Sequence, residues 1–315
     1  MHIQANLFFV KKNKIKGEDM LIDEFIISVY CCVENLFNKV VGSIKLRERG
    51  CAPKFTDIEL LTIEIVGEFL GLEMDKKIWE YFKRHWNHWF PDLPCRTTFV
   101  RQSANLWQIK QMIQKEFSIR LGGLDDNLHI IDGFPIPVCH FARARRGKLF
   151  KGEAGYGRCA AKNQVYYGFK GHLVINGSGL ISSIMITPAH VEEHKPVEEL
   201  VEGMHGILIG DKGFISSALK ARLKRENIDL ETPLKKNMKD ERKPEFVVKI
   251  KSIRRLIETV IGQLDDRFHF NKVWARDLWH LLSRLARKTL AHTMGVFLNK
   301  KLGRPLIKFD GLLTV

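Results

Sequence analysis

A chain of 315 residues with 45% hydrophobic side chains is long enough for two domains and a sizeable core, and too apolar for wholesale disorder. Its 51 Lys and Arg against 36 Asp and Glu leave a formal charge of +15, which repels itself unless a polyanion balances it; nucleic acid is the commonest such partner, an acidic membrane surface the other. The longest apolar run, Phe25 to Val33, is far short of the roughly 20 residues a bilayer span needs, Leu7-Phe8-Phe9-Val10 is too short for a secretory signal, and the six cysteines form no Cys-x-x-Cys pair, so a cytoplasmic protein with reduced thiols and no membrane partner is expected.

Residues 1–19 carry four lysines and no periodicity, and read as a basic leader, disordered or translated from a start upstream of the true one at Met20. From Ile22 the apolar residues recur at helical spacing for five turns. Thr56-Asp57-Ile58-Glu59 is a capping box that opens a helix running to about Leu70, with Gly71 placed to stop it. Ile78, Trp79, Tyr81, Phe82 and Trp86 mark a third helix, and Thr97 or Thr98 caps a long one through Phe117. Nothing in 20–118 reads as a strand, so this stretch is expected to be an all-α domain of a size that holds a helix-turn-helix. Arg96 and Arg101, near the first turn of its last helix, are candidate DNA contacts; an ordinary helical bundle with solvated arginines fits the same pattern.

After Gly122-Gly123 the texture changes. Strands are predicted at 128–134, 165–175, 180–187, 206–210 and 228–232, the second and third joined by the hairpin turn Asn176-Gly177-Ser178-Gly179. Residues 140–162 read as a Gly- and Arg-rich loop. Helices are expected at 195–203, 215–226, 249–264 and 277–298. This order makes 119–315 a mixed α/β domain.

Three acids stand out. Asp132 follows Ile130-Ile131 and precedes Gly133; Asp211 follows Ile209-Gly210 and precedes Lys212-Gly213. A carboxylate at the end of a buried strand is a rigid platform for a ligand or metal, although Asp also favours such turns for its own backbone hydrogen bonds. Glu258 lies four residues after Arg254 at the edge of the apolar stripe 250, 253, 257, 260, 261 and 264, where the two share a helix face, either as a surface ion pair or as part of a site. Carboxylates gathered in a basic protein suit hard divalent cations and phosphate substrates. The basic surroundings are present: eight Lys and Arg face only Glu153 between 140 and 175, and nine face three acids between 235 and 255. Lys170, Lys235, Lys236 and Arg254 are the candidate phosphate contacts there.

The runs Ile130-Ile131-Asp132-Gly133-Phe134-Pro135, Tyr166-Tyr167-Gly168-Phe169-Lys170-Gly171-His172, Ile209-Gly210-Asp211-Lys212-Gly213-Phe214, Thr232-Pro233-Leu234-Lys235-Lys236-Asn237 and Arg254-Arg255-Leu256-Ile257-Glu258 resemble DDE transposases of bacterial insertion sequences, most closely the insertion-sequence 982 group. The resemblance covers roughly Met20 to the C-terminus. It implies a ribonuclease H-like fold, with Asp132, Asp211 and Glu258 as an acidic triad on two Mg2+ ions, for which Mn2+ substitutes. It implies cleavage of double-stranded DNA at the terminal inverted repeats of an element, transfer of the freed 3′ hydroxyl to target DNA, and a homodimer. Arg254 matches an Arg found four before the Glu in related families; a Lys seven after it and a Tyr seven before it are here Asp265 and Lys251.

Two rival readings are kept. His190-Val191-Glu192-Glu193-His194 matches the inverted zinc-peptidase pattern, with His190, Glu193 and His194 as the working residues, but Pro188 and Pro196 leave barely two helical turns around it. A transposase that has lost catalysis would persist as a DNA-binding protein.

Overall fold

The computed structural model describes residues 20–42, 44–48, 51–159, 163–234, 239 and 241–314. They form two compact units, one of described residues within 20–117, 267–269 and 279–314, the other of described residues within 118–266 and 270–278.

The first unit is helical. Helices α1 (Ile22–Val41), α2 (Asp57–Phe69), α3 (Asp75–His85), α4 (Arg96–Asn105) and α5 (Trp107–Arg120) follow one another, and α8 (Leu278–Leu302) joins them from the far end of the chain. The apolar stripe of α1 is buried as its periodicity requires: Phe25, Ile26, Val29, Val33 and Leu36 are all sealed from solvent. The capping box of α2 is formed, with Thr56 Oγ1 accepting from the Glu59 amide and the Glu59 carboxylate accepting from the Thr56 amide. Two details depart from the sequence reading. Met20–Leu21 pairs as a two-residue parallel strand with Leu313–Thr314. The long helix expected through Phe117 breaks at Leu106, and it starts at Arg96 behind Cys95, not behind a threonine cap.

The division between the units also differs from a simple cut after residue 118. Residues 279–315 pack with the N-terminal helices because α8 carries their counter-ions. The Arg287 guanidinium, sealed from solvent, meets Glu68 Oε1 at 2.6 Å, Asp75 Oδ1 at 2.6 Å and Glu64 Oε1 at 3.2 Å. Lys288 reaches Glu68 at 2.8 Å, Arg284 reaches Asp75 at 2.5 Å, and Lys110 of α5 reaches Glu64 at 2.6 Å. Burial pushes the Asp75 carboxyl upward, but Arg287 and Arg284 overcome it and hold it below the usual carboxylate range. Burial lowers Lys110 and Lys288, opposed by Glu64 and Glu68 respectively.

The second unit is a curled mixed sheet with flanking helices. Its strands are β1 (Leu128–Pro137), β2 (Gly155–Cys159), β3 (Gln164–Asn176), β4 (Ile181–Pro188), β5 (Gly206–Ile209) and β6 (Ile228–Glu231), in the order β2-β3-β1-β5-β6, with β4 also paired to β3. The β1, β2 and β4 pairings with β3 are antiparallel; β1-β5 and β5-β6 are parallel. The Asn176–Gly179 turn joins β3 to β4, closed by Asn176 Oδ1 accepting from the amides of Ser178 and Leu180. Helix α6 (Ser217–Arg225) buries Leu219 and Leu223 with Ile131, Val174, Leu208 and Leu230 of the sheet. Helix α7 (Pro244–Asp266) buries Ile250, Ile257, Val260 and Leu264 and packs along β1. The segment read as a loop over 140–162 holds a one-turn helix at Phe141–Ala144 and strand β2, and the helix expected at 195–203 is one turn, Val197–Leu200.

Candidate active site

Parallel register brings the two aspartates together. Strand β1 pairs with β5 so that Ile130 faces Ile209; two residues further on lie Asp132 and Asp211. Asp132 does not end its strand, because β1 continues to Pro137 against β3, where Asp132 is opposite Leu173. It stands instead where the β1-β5 pairing stops, and there the sheet opens.

Arg254 of α7 reaches into this opening. Its Nη1 is 3.2 Å from Asp211 Oδ1 and its Nη2 is 3.6 Å from Asp132 Oδ2. Its buried Nε has no hydrogen-bond partner among the described residues. Asp132 Oδ1 accepts from the Gly133 amide at 2.8 Å. The Asp132 carboxyl is nonetheless pushed up to about 6: burial does most of this, the nearby Asp211 and Glu193 charges add to it, and the Gly133 amide and Arg254 oppose it.

Glu193 is the residue that sequence reasoning placed in the wrong setting. Its carboxylate lies over two glycines beside the aspartates, Gly133 in β1 and Gly213 in the turn after Asp211: a Cβ built on Gly133 would sit 3.5 Å from Glu193 Oε1, and one built on Gly213 would collide with Oε2. Lys170 of β3 holds it there, with Nζ 3.6 Å from Oε1 while donating to the Val191 carbonyl at 3.0 Å. The available signal was the pair of small residues beside the two aspartates, which leaves room for a third side chain. His190 packs on Gly155, and His194 faces Glu192 at 3.5 Å. Residues 190–196 are not helical. The three residues of the zinc-peptidase pattern thus share no helix face, and among the described residues no three His, Cys, Asp or Glu side chains are grouped to hold a metal ion.

Glu258 is exposed on α7, one turn beyond Arg254, and is not grouped with Asp132 and Asp211 into a three-carboxylate metal site. Arg96 and Arg101 are both exposed on α4 of the helical unit. Lys235 and Lys236 lie outside the described residues.

What the two aspartates offer is hard oxygen donors. Magnesium is usually held by one or two carboxylates, with water and substrate phosphate filling the other positions. Asp132 and Asp211 fit that role, and the Arg254 guanidinium already stands as a cation between them.

Residues 122–276 match the family model described as the transposase DDE domain. The transposase-like segment therefore holds Asp132, Asp211, Arg254 and Glu258 together with the whole sheet. The match points to transposase activity, with DNA as partner, and DDE domains generally use divalent metals. No curated protein and no solved structure matches the chain. Among the described residues no helix is long and apolar enough to cross a membrane.

Proposed function

We infer that the protein is a DNA transposase that cuts phosphodiesters at the ends of an insertion sequence and joins the freed 3′ hydroxyl to target DNA. The observation that carries this reading is the convergence of Asp132 and Asp211 on Arg254, inside the segment that matches the transposase DDE domain.

The roles follow from the chemistry of the side chains. Asp132 and Asp211 would hold the divalent cations, Mg2+ or Mn2+, and Glu258, which stands apart from them on α7 in this structure, would complete the set by joining them when metal and DNA bind. When bound, a pair of such ions activates the attacking hydroxyl and neutralises the leaving oxygen. Arg254 sets a guanidinium between the two neighbouring carboxylates, and its fork of donors suits a phosphate. Lys170 fixes Glu193 against Gly133 and Gly213 and adds positive charge beside the two aspartates. In each step an oxygen nucleophile, water or a 3′ hydroxyl, forms a bond to phosphorus as the bond to the leaving oxygen breaks.

The sheet order, with three antiparallel strands followed by β5 and β6 in parallel, supports a ribonuclease H-like assignment. The helices of 20–118 take the DNA-end-binding role in this reading, with α4 as recognition helix through Arg96 and Arg101. Two ends joined to one target call for a homodimer.

The test is end cleavage with Mg2+ by the wild type and by Asp132→Asn, Asp211→Asn and Glu258→Gln. Each substitution is expected to abolish cutting while leaving DNA retention intact. Retained cutting in any one removes that residue from the site. Magnesium-independent retention of DNA with no cutting by the wild type would favour a binding protein.

A further inference from the structure

The ribbon formed by β2 and the start of β3 takes no part in the chemistry above, yet one of its faces is built from aromatic rings. Tyr156 lies directly opposite Tyr167, and Arg158 directly opposite Val165. Facing residues share a side of a β-ribbon, so these four stand together. The Tyr156 and Tyr167 rings are 5.0 Å apart, and Phe141, from the one-turn helix before the ribbon, meets Tyr156 edge-on at 6.0 Å. The Tyr167 hydroxyl is fixed by donating to the Phe150 carbonyl at 3.0 Å. Despite these contacts, Phe141, Tyr156 and Val165 are 48%, 46% and 49% exposed. Linked aromatic rings left this open at the surface invite a flat apolar partner.

Charge says what else that partner carries. Arg143, Arg145, Arg146, Lys148 and Lys151 are all exposed on the segment between Phe141 and β2, and none is paired with a carboxylate among the described residues. Glu153 is the only acid between 140 and 159. An anionic membrane would satisfy the cations but offers nothing to stack. Duplex DNA satisfies the cations too, but its base faces are hidden inside its own stack. A single strand offers both phosphates and open base faces.

We propose that this face binds an unpaired stretch of DNA strand, with bases stacked on Tyr156 and Phe141 and phosphates held by the arginines and lysines around them. The proposal rests on the transposase reading for the identity of the polyanion as DNA, and it deepens that reading: the site would take opened strand next to the scissile bond, not only intact duplex. Tyr167 belongs to the strand that pairs with Asp132, six residues from Leu173, roughly 20 Å along it.

The experiment is fluorescence anisotropy of the full chain with labelled single-stranded oligo(dT), a duplex of equal length and an abasic strand, at one salt concentration and with EDTA, so that no cleavage enters. Tyr156→Ala and Phe141→Ala are each expected to weaken oligo(dT) binding about tenfold while leaving duplex binding within about twofold. Tyr156→Phe should bind like the wild type, and the abasic strand should bind the wild type as weakly as oligo(dT) binds Tyr156→Ala. Unchanged oligo(dT) affinity in both alanine variants, at an unchanged melting temperature, would overturn the proposal. So would equal weakening toward single strand and duplex, or an abasic strand that binds as well as oligo(dT), since either leaves only phosphate contact. A protein that cuts DNA but shows any of those results loses this inference alone. One that binds single strands through Tyr156 but never cuts loses the catalytic reading and keeps the surface.

Discussion

The Glu193 carboxylate lies against Gly213, and a methyl group there would run into its Oε2, whereas at Gly133 the same methyl would meet Oε1 at an ordinary 3.5 Å. Gly213→Ala is therefore expected to drive Glu193 off Lys170 at a cost of under ~1 kcal/mol in stability, since a carboxylate can swing aside, but to reduce strand cleavage roughly tenfold or more. Gly133→Ala should keep cleavage within about threefold. Adding Glu193→Ala to Gly213→Ala should lower cleavage no further, because both changes empty the same seat. A fully active Gly213→Ala variant would show that the placement of Glu193 is irrelevant to the chemistry.

Arg254 is the cation that lets Asp132 and Asp211 stand side by side. In Arg254→Ala the two carboxylates repel, and the melting temperature in EDTA should fall. Millimolar Mg2+ should then raise the melting temperature of the variant by roughly 2–4 °C more than it raises that of the wild type, because the ion takes over the neutralising role. Equal stabilisation of both proteins by Mg2+ would mean that Arg254 does not neutralise the pair, and no stabilisation of either would mean that the two aspartates do not bind the ion.

Arg287 is sealed from solvent among Glu64, Glu68 and Asp75. Replacing it by Met removes the cation that touches all three buried carboxylates and leaves each with a single cationic partner, Lys110, Lys288 or Arg284, and urea unfolding of Arg287→Met should show a loss of about 3–5 kcal/mol. A loss below ~1 kcal/mol would mean that water enters the cluster and shields it.

Acid should weaken the fold below neutrality. His292, fully buried between the rings of Phe268 and Phe309, is held down to about 3 by burial alone. It stays neutral in the fold but takes a proton in the unfolded chain below about pH 6.5. Its contribution is thus fully present above that pH and is lost as pH falls toward 3, amounting to about 2 kcal/mol between pH 7 and pH 5. His172, lowered to about 4 by burial and by the Lys170 charge, acts with the same sign. His292→Phe should flatten the stability profile between pH 7 and pH 5; an unchanged slope would assign the acid sensitivity elsewhere.

Much of this architecture can be read from local chemistry. The capping box at Thr56, the stripe of α1, the Asn176–Gly179 hairpin and the stripe of α7 each depend on residues near one another in the chain, and each is found where its pattern places it. The meeting of Asp132 and Asp211 is legible too, because each follows a short apolar run and the two runs pair in parallel. Strand β2 was hidden because Gly155-Tyr156-Gly157-Arg158 has turn composition; its pairing comes from β3, not from its own propensity. The return of α8 to the first unit was hidden for a different reason. Arg287 and Lys288 look like solvated charge until Glu64, Glu68 and Asp75, more than 200 residues away, are placed around them. Glu193 was read with its neighbouring histidines, but only the fold shows that its partners are Gly133, Gly213 and Lys170.

Because Arg287 and Lys288 supply the cations for Glu64, Glu68 and Asp75, the opening third of the polypeptide is not self-sufficient. On the ribosome Glu64 meets Lys110 early, but Glu68 and Asp75 emerge long before any of their counter-charges do. The helical unit must remain unfinished, with its future interior still wet, while the whole sheet is synthesised and folds. The last unit completed is the one whose first helix was made earliest.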